Sequence, residues 1–203
     1  MAEAVEFERR LQAAYRAPSY LVLATAPRLK YLEMARQNLA KHFPMAVFHC
    51  EREFLSALRQ EADSKGIRKW EVILRADASK PDDGARHTRD WDNLLTLAAS
   101  AARQVAGQIR SRTRSTLLIY PGLLGRYGQL SILDELADSL GDHSLWLLAG
   151  SEHQAASPMV DGQAIPARPT QWAWIPTKWL DNEFRKSKAG FDPVDFGTYG
   201  SLA

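Results

Sequence analysis

The sequence predicts a single α/β domain, in which a mainly parallel sheet of about five strands carries helices on both faces and a small hairpin and helix extension follows. Short apolar runs of strand length alternate along the chain with longer segments whose apolar residues recur every three or four positions. The 203 residues are 45% hydrophobic and 25% charged, which is typical of a globular domain with its own core. We therefore expect one domain over residues 1–187 and an irregular tail over residues 188–203.

Five apolar runs are the candidate strands of this sheet. Each has the length of a strand and is bounded by turn residues or by segments with helical spacing. They cover residues 20–25, 45–49, 70–74, 116–120 and 145–149. Because helical segments separate successive strands, we expect crossover connections and parallel pairing.

The segments between these runs have the 3.6-residue period of helices that pack one face on a core. In the third of them, Phe54, Leu55 and Leu58 are expected to point inward. Pro27 and Gly66 lie where helices would begin and end. The predicted helices cover residues 4–16, 28–42, 51–64, 89–112 and 129–140.

The composition changes at about residue 151, where Pro, Ser, Gln and Gly become frequent. Asp161 and Gly162 stand between apolar residues, which is typical of a tight hairpin turn. Residues 171–175 form a candidate edge strand, and Pro176 opens a short helix that runs to residue 186. We expect this extension to pack on the same domain.

Composition and charge narrow the class of protein. The lone Cys50 has no partner for an internal disulfide, which is typical of a reducing compartment. No apolar run approaches the roughly 20 residues of a membrane span, and the first ten residues lack the apolar core of a signal peptide. The net charge of +2 does not call for a nucleic-acid partner. We expect a cytoplasmic protein with no membrane partner.

A parallel α/β sheet raises the question of nucleotide binding. The first candidate strand leads into ATAPRLK at residues 24–30, which contains no glycine and no Lys-Ser/Thr pair. Without glycines the backbone cannot approach a phosphate closely. If the fold is related to that of the P-loop NTPases, it therefore lacks the phosphate loop. The histidines are scattered, so we expect neither a cofactor nor a metal.

Polar residues near the predicted carboxyl edge of the sheet suggest an alternative function, that of a hydrolase or nuclease. Active sites of α/β proteins gather at this edge. No GxSxG motif or other complete catalytic motif is present in the sequence. The candidates for an atypical site are Asp77, Arg126, Ser151, Glu152 and His153.

Two aromatic segments are candidate partner-binding surfaces. The stretch 120–128, YPGLLGRYG, is expected to form a loop at the carboxyl edge, and Tyr and Arg often dominate interface energetics. A turn with half-buried tyrosines is the competing interpretation. Trp172 and Trp174 share one face if their segment is a strand, where core packing competes with partner binding. The predicted partner-binding residues are Tyr120, Pro121, Gly122, Arg126, Tyr127, Trp172 and Trp174.

One local excess of positive charge supports a second alternative, a nucleic-acid-binding module. Its residues are Arg103, Arg110, Arg112 and Arg114. Arginines could contact phosphates there. They could equally be a solvated helix end, where cations complement the negative end of the helix dipole.

Several stretches of the chain together resemble a known family. They read YLVLATAPR, WEVILRADAS, TLLIYPGLLGRYGQLSILDELADSLG, LWLLAG, PMVDGQAIP and QWAWIPTKWL. This pattern resembles the C-terminal region of the large PglW-type serine/threonine kinases of BREX (phage growth limitation) loci, over most of residues 10–185. In layout the chain is also similar to the small BrxB-type accessory proteins of such loci.

The resemblance implies a role in anti-phage defence beside kinase, methyltransferase, ATPase or phosphatase components, with DNA reached only indirectly. The sequence contains no kinase Gly-rich loop, VAIK-like lysine, HRD or DFG, so it would correspond to the appended domain without the kinase. No catalytic residue carries over. We therefore expect a non-catalytic assembly or regulatory subunit that acts by protein–protein binding.

Overall fold

The computed structural model describes residues 2–82, 86–152 and 157–181. The helices are α1 Ala2–Arg16, α2 Leu29–His42, α3 Cys50–Ser64, α4 Trp70–Ala78, α5 Arg89–Arg110, α6 Gly122–Arg126, α7 Ile132–Asp138 and α8 Thr177–Leu180. The strands are β1 Tyr20–Thr25, β2 Ala46–His49, β3 Thr116–Ile119, β4 Leu145–Gly150, β5 Met159–Val160, β6 Gln163–Ala164 and β7 Trp172–Trp174.

The predicted α/β architecture is confirmed. Five strands form a parallel sheet in the order β2-β3-β4-β1-β7, and β5 and β6 form a separate antiparallel hairpin. All six residues of β1 are buried, because helices cover both faces of the sheet. This is why the strand sequences are almost continuously apolar and do not alternate with polar residues.

The sheet divides the core into two layers. Successive side chains of a strand point to opposite faces, so Leu147 of β4 belongs to one cluster and Trp146 and Leu148 belong to the other. The first cluster lies beneath α3, α4, α5, α6 and α7, and the second beneath α1, α2 and α8. Helices therefore flank both faces, as predicted.

The prediction of a strand at residues 70–74 is wrong, because this segment is the first part of helix α4. Ile73 and Ala76 are buried, whereas Val72 and Leu74 are 45% and 56% exposed. A central parallel strand would bury both sets. The five-residue apolar run fits a short helix equally well, and its helical period emerges only when residues beyond Leu74 are included.

The fifth strand of the sheet is β7, the segment predicted as an edge strand. It pairs with β1 in parallel, with Leu23 opposite Ala173. The predicted hairpin is also confirmed: Asp161 and Gly162 have φ angles of 49° and 77°, which a two-residue turn with both central residues left-handed requires.

Other predictions differ from the structure in detail. Residues 120–128 are not wholly a loop, because they contain the one-turn helix α6. Leu55, expected to point inward, is 42% exposed. His153 and the tail after residue 181 lie outside the described residues.

The turn from β1 to α2 bears on nucleotide binding. Three residues, 26–28, connect the two elements. Pro27 packs against the end of β4, since a Cβ placed on Gly150 would lie 2.9 Å from the Pro27 Cα. A phosphate-cradling loop needs a wider turn and exposed backbone N–H groups. The geometry of this turn agrees with the missing glycines.

Within the described ranges, no helix combines the length and the apolar character needed to cross a membrane.

Candidate partner-binding groove

A groove with a volume of about 860 Å³ runs between α3 and α4, both of which pack on α5, and α6 closes one end of it. The wall that α3 provides consists of residues four positions apart, which lie one above the other on a helix. They are Glu51, Leu55, Arg59 and Asp63. The groove is thus a feature of helix faces and not of the sheet edge.

The opposite wall is one face of α4. Trp70, Ile73, Leu74 and Asp77 follow the i, i+3, i+4, i+7 spacing of a helical stripe. The guanidinium of Arg59 lies 5.1 Å from the centre of the Trp70 ring, which connects the two walls at the end away from α6.

At the α6 end, the carboxylate of Asp77 is held by two residues. Arg126 donates two hydrogen bonds to it, at 2.7 and 2.9 Å, and the Tyr127 hydroxyl donates a third at 2.9 Å. Burial raises the pKa of Asp77, but the hydrogen bonds from Arg126 and Tyr127 and the charge of Arg126 outweigh it, so the pKa lies below its ordinary value. Asp77 therefore stays ionised and neutralises Arg126.

Tyr127 anchors this end of the groove in the core. Its ring stacks on Phe54 at 5.7 Å and contacts Trp91 at 5.8 Å. Burial raises the pKa of its hydroxyl to about 12, so the hydroxyl remains a donor to Asp77. The arrangement fixes α6 against α3 and α4.

Apolar exposure is concentrated on the two helices that form the walls. Among the described residues, the exposed large hydrophobic side chains are Leu29, Leu55, Val72, Leu74 and Met159. Leu55 and Leu74 line the groove, and Val72 lies beside it on α4. Exposed apolar side chains grouped at a concave site are typical of a binding surface.

The predicted partner-binding residues fall at three places. Arg126 and Tyr127 line the groove, and Gly122 lies next to it. Pro121 is buried at the start of α6. Tyr120 has a left-handed φ of 55° at the end of β3, and its hydroxyl donates to Glu33 at 3.4 Å.

Trp172 and Trp174 lie on β7, at the edge of the sheet. Their rings contact each other at 6.4 Å, and Trp172 packs against the first core cluster. Arg10 donates to the Trp172 carbonyl at 2.9 Å, which covers part of the outer side of this edge strand. These contacts favour core packing for Trp172.

The four arginines of the predicted nucleic-acid surface do not form one free patch. Arg110 pairs with Glu135 at 3.1 Å, and the Arg112 guanidinium lies 4.9 Å from the Phe48 ring centre. Arg103 and Arg114 are exposed. Arg110, Arg112 and Arg114 line a small cleft of about 60 Å³ at the C-terminal end of α5, where the helix dipole itself attracts cations.

The candidates for a catalytic site are only partly brought together. Asp77 and Arg126 form the ion pair already described. Ser151 is buried, and its hydroxyl accepts a hydrogen bond from the Met159 N–H at 2.9 Å. Glu152 is exposed. The Ser151 side chain thus holds the hairpin in place.

Neither the thiol nor the acidic side chains suggest metal chemistry. Cys50 is fully buried, and burial raises the pKa of its thiol to about 12. In the part of the chain that the structure describes, no three His, Cys, Asp or Glu side chains are grouped as metal ligands would be. The absence of a metal and of catalysis both stay predictions.

The sequence carries the residues of the groove but predicts other roles for most of them. Leu55 and Leu74 resemble core residues in the sequence, because an apolar residue type does not show whether its side chain is buried or exposed. Trp70 and Asp77 share a helical stripe, which the strand interpretation of residues 70–74 concealed. Arg126 and Tyr127 are predicted as binding residues by their residue types alone.

Comparison with known proteins links the chain to a much larger protein. No protein-family model matches the chain, and no solved structure matches it. The chain is 28% identical over 194 residues to the "Probable kinase PglW" of Streptomyces coelicolor, an alignment that covers 92% of this chain and 12% of the kinase. The resemblance to PglW is therefore confirmed as sequence similarity. Over nearly its whole length, this chain is similar to one segment of a much larger probable kinase.

Proposed function

We propose that this chain is a non-catalytic assembly or regulatory subunit of a BREX-type anti-phage defence system, and that it binds another component of the system through the α3–α4 groove. The similarity to the probable kinase PglW supports the connection with defence. The sequence has none of the kinase motifs, which supports a binding role. Its expected partners are a kinase, methyltransferase, ATPase or phosphatase of the same locus.

The observation that carries the proposal is the apolar surface left open in the groove. Leu55 and Leu74 are 42% and 56% exposed although each faces a concavity flanked by other apolar side chains. Leaving such surface in water forgoes about 25 cal/mol for each Å² that could be buried. A partner that fills the groove recovers this free energy.

The geometry favours binding over hydrolysis at the same place. A general base needs a pKa near the working pH. The pKa of Asp77 lies below its ordinary value and so farther from neutral pH. Its oxygens already accept hydrogen bonds from Arg126 and Tyr127. This supports Asp77 as a structural acid of the groove wall.

The test is co-purification of the tagged chain with the products of its neighbouring genes, identified by mass spectrometry. Leu55→Asp and Leu74→Asp should each reduce recovery of the partner by at least about tenfold, because each would place a charge in the apolar lining of the groove. Leu29→Asp is the matched control, since Leu29 is 71% exposed at the start of α2 and does not line the groove.

All three variants should melt within a few degrees of the unmodified chain, since exposed substitutions change stability little. Equal recovery with Leu55→Asp and with Leu29→Asp would show that the groove is not the binding surface. Recovery of no component of the locus by the unmodified chain would contradict the assembly role itself.

A further inference from the structure

Because the walls of the groove are helices, they favour a helical binding partner over an extended one. Both α3 and α4 satisfy their backbone hydrogen bonds internally, and the groove contains no strand edge. In an extended segment lying there, the N–H and C=O groups that face the helices would have no protein partners. A helix satisfies these groups itself and presents only side chains.

The length of the groove follows from its α3 wall. From Glu51 to Asp63 the helix rises about 18 Å, at 1.5 Å for each residue. A helix of about three turns covers that distance. Leu55 and Leu74, on opposite walls, then face its apolar stripe.

The charges of the lining are uneven. Asp77 is neutralised by Arg126, and Arg59 lies over Trp70. Glu51 and Asp63 have no ion-pair partner among the described residues and stand about three turns apart, at the two ends of the α3 wall. Glu51 lies at the α6 end, since a Cβ on Gly122 would be 3.2 Å from its Oε1. The lining is therefore negative at the α6 end, where Glu51 stands, whereas at the other end the charge of Asp63 is offset by Arg59, one turn away on α3.

We infer that the partner enters the groove as an amphipathic α-helix of about three turns, with apolar side chains against Leu55 and Leu74 and a basic side chain near the α6 end, opposite Glu51. The inference rests on the proposed function and names the chemistry of the partner. Helical side chains three and four positions apart present such a stripe, and complementary charges set its register.

The experiment uses a display library of random peptides of about 16 residues, enough for four helical turns, selected on the full chain. Peptides that also bind the Leu55→Asp variant are discarded, so that only groove-dependent peptides remain. These should have apolar residues at i, i+3, i+4 and i+7 and an excess of Lys and Arg. The best peptide should gain helical circular dichroism on binding.

A charge reversal tests the α6 end of the groove. Glu51→Lys should weaken the best peptide by about tenfold and should select acidic peptides in its place. Asp142→Lys is the matched control, because this exposed acid lies outside the groove. This control should change affinity by less than about twofold.

Several outcomes would overturn the inference. They are peptides with period-2 apolar spacing, acidic peptides selected by the unmodified chain, no groove-dependent peptide, or self-association of the chain that Leu55→Asp abolishes. If Leu55→Asp still abolishes co-purification of a locus component, the proposed function stands and only the helical partner fails. If Leu55→Asp leaves co-purification unchanged, the groove is not the binding surface, and the proposed function is contradicted before the helical partner is tested.

Discussion

Asp77 shows how one carboxylate can organise an end of the groove. Its side chain is 27% exposed and that of Arg126 is 32% exposed, so both are partly shielded from water. Asp77→Asn removes the charge but keeps the shape. We expect it to lower the free energy of unfolding by about 1.5–3 kcal/mol near neutral pH, the range for hydrogen bonds to charged groups. Urea unfolding measures this loss.

The same substitution carries a dependence on pH. The pKa of Asp77 is lower in the folded chain than its ordinary value of 3.8. Its stabilisation is therefore complete above about pH 4 and is lost as the pH falls through the folded pKa. The difference between the unmodified chain and Asp77→Asn, measured at about pH 7, should be smaller at about pH 3, because the loss begins only near pH 4. Asp142→Asn is the control, because Asp142 is exposed. Its free energy of unfolding should equal that of the unmodified chain at both pH values. A constant difference for Asp77→Asn would contradict the ion pair.

Residue types predicted part of this site, and exposure accounts for the rest. Arg126 and Tyr127 were identified because arginine and tyrosine are common at interfaces. Leu55 and Leu74 were missed because a single sequence does not say whether an apolar side chain lies in the core or lines an open groove. That distinction depends on how far α3 and α4 stand apart on α5, which is a tertiary property.

At the scale of elements, α6 is held by its contact with the β5–β6 hairpin. A Cβ on Gly125 would lie 2.6 Å from the Val160 carbonyl oxygen, closer than real contacts allow. Gly125→Ala should therefore lower the free energy of unfolding by about 1–3 kcal/mol, since α6 or the hairpin must shift. It should also reduce partner recovery, because α6 closes the groove.

Gly107 provides the opposite case on α5. Nothing lies within 4 Å of the position its Cβ would occupy. Gly107→Ala should raise the free energy of unfolding by about 0.5–1 kcal/mol, the usual gain from replacing glycine inside a helix. Thermal unfolding of the two variants gives the comparison. If Gly107→Ala were destabilised, or Gly125→Ala were as stable as the unmodified chain, the residues around that glycine would lie at other distances than the structure shows.

Long periodic elements were predictable, and the short apolar run at residues 70–74 was not. Helix α5 carries its apolar stripe over 22 residues, so its period is unmistakable. Trp70, Ile73 and Leu74 span barely more than one turn, too few to separate helix from strand. The edge strand β7 was predicted, but its place beside β1 depends on pairing between segments far apart in the chain.

At the scale of the whole molecule, the sheet joins the two core clusters. Leu117 and Leu118 are neighbours on β3, 1% and 0% exposed, and they point into different clusters. Leu117 packs beneath α1, α2 and α8, and Leu118 packs beneath the helices that build the groove. Because the same strands carry both layers, neither layer can lose its packing without weakening the pairing of the sheet.

This shared sheet predicts that the domain unfolds as one unit. Leu117→Ala and Leu118→Ala should each lower the free energy of unfolding by about 2–5 kcal/mol, the cost of a buried leucine truncated to alanine. Hydrogen exchange should show the slowest amides of α2 and α5 losing protection by the same amount in both variants. If Leu117→Ala loosened α2 and left α5 protected, the groove layer would fold independently of the α1–α2–α8 layer. Equal loss would mean that partner binding in the groove also stabilises the opposite face, since a ligand that binds only the folded state stabilises the whole cooperative unit.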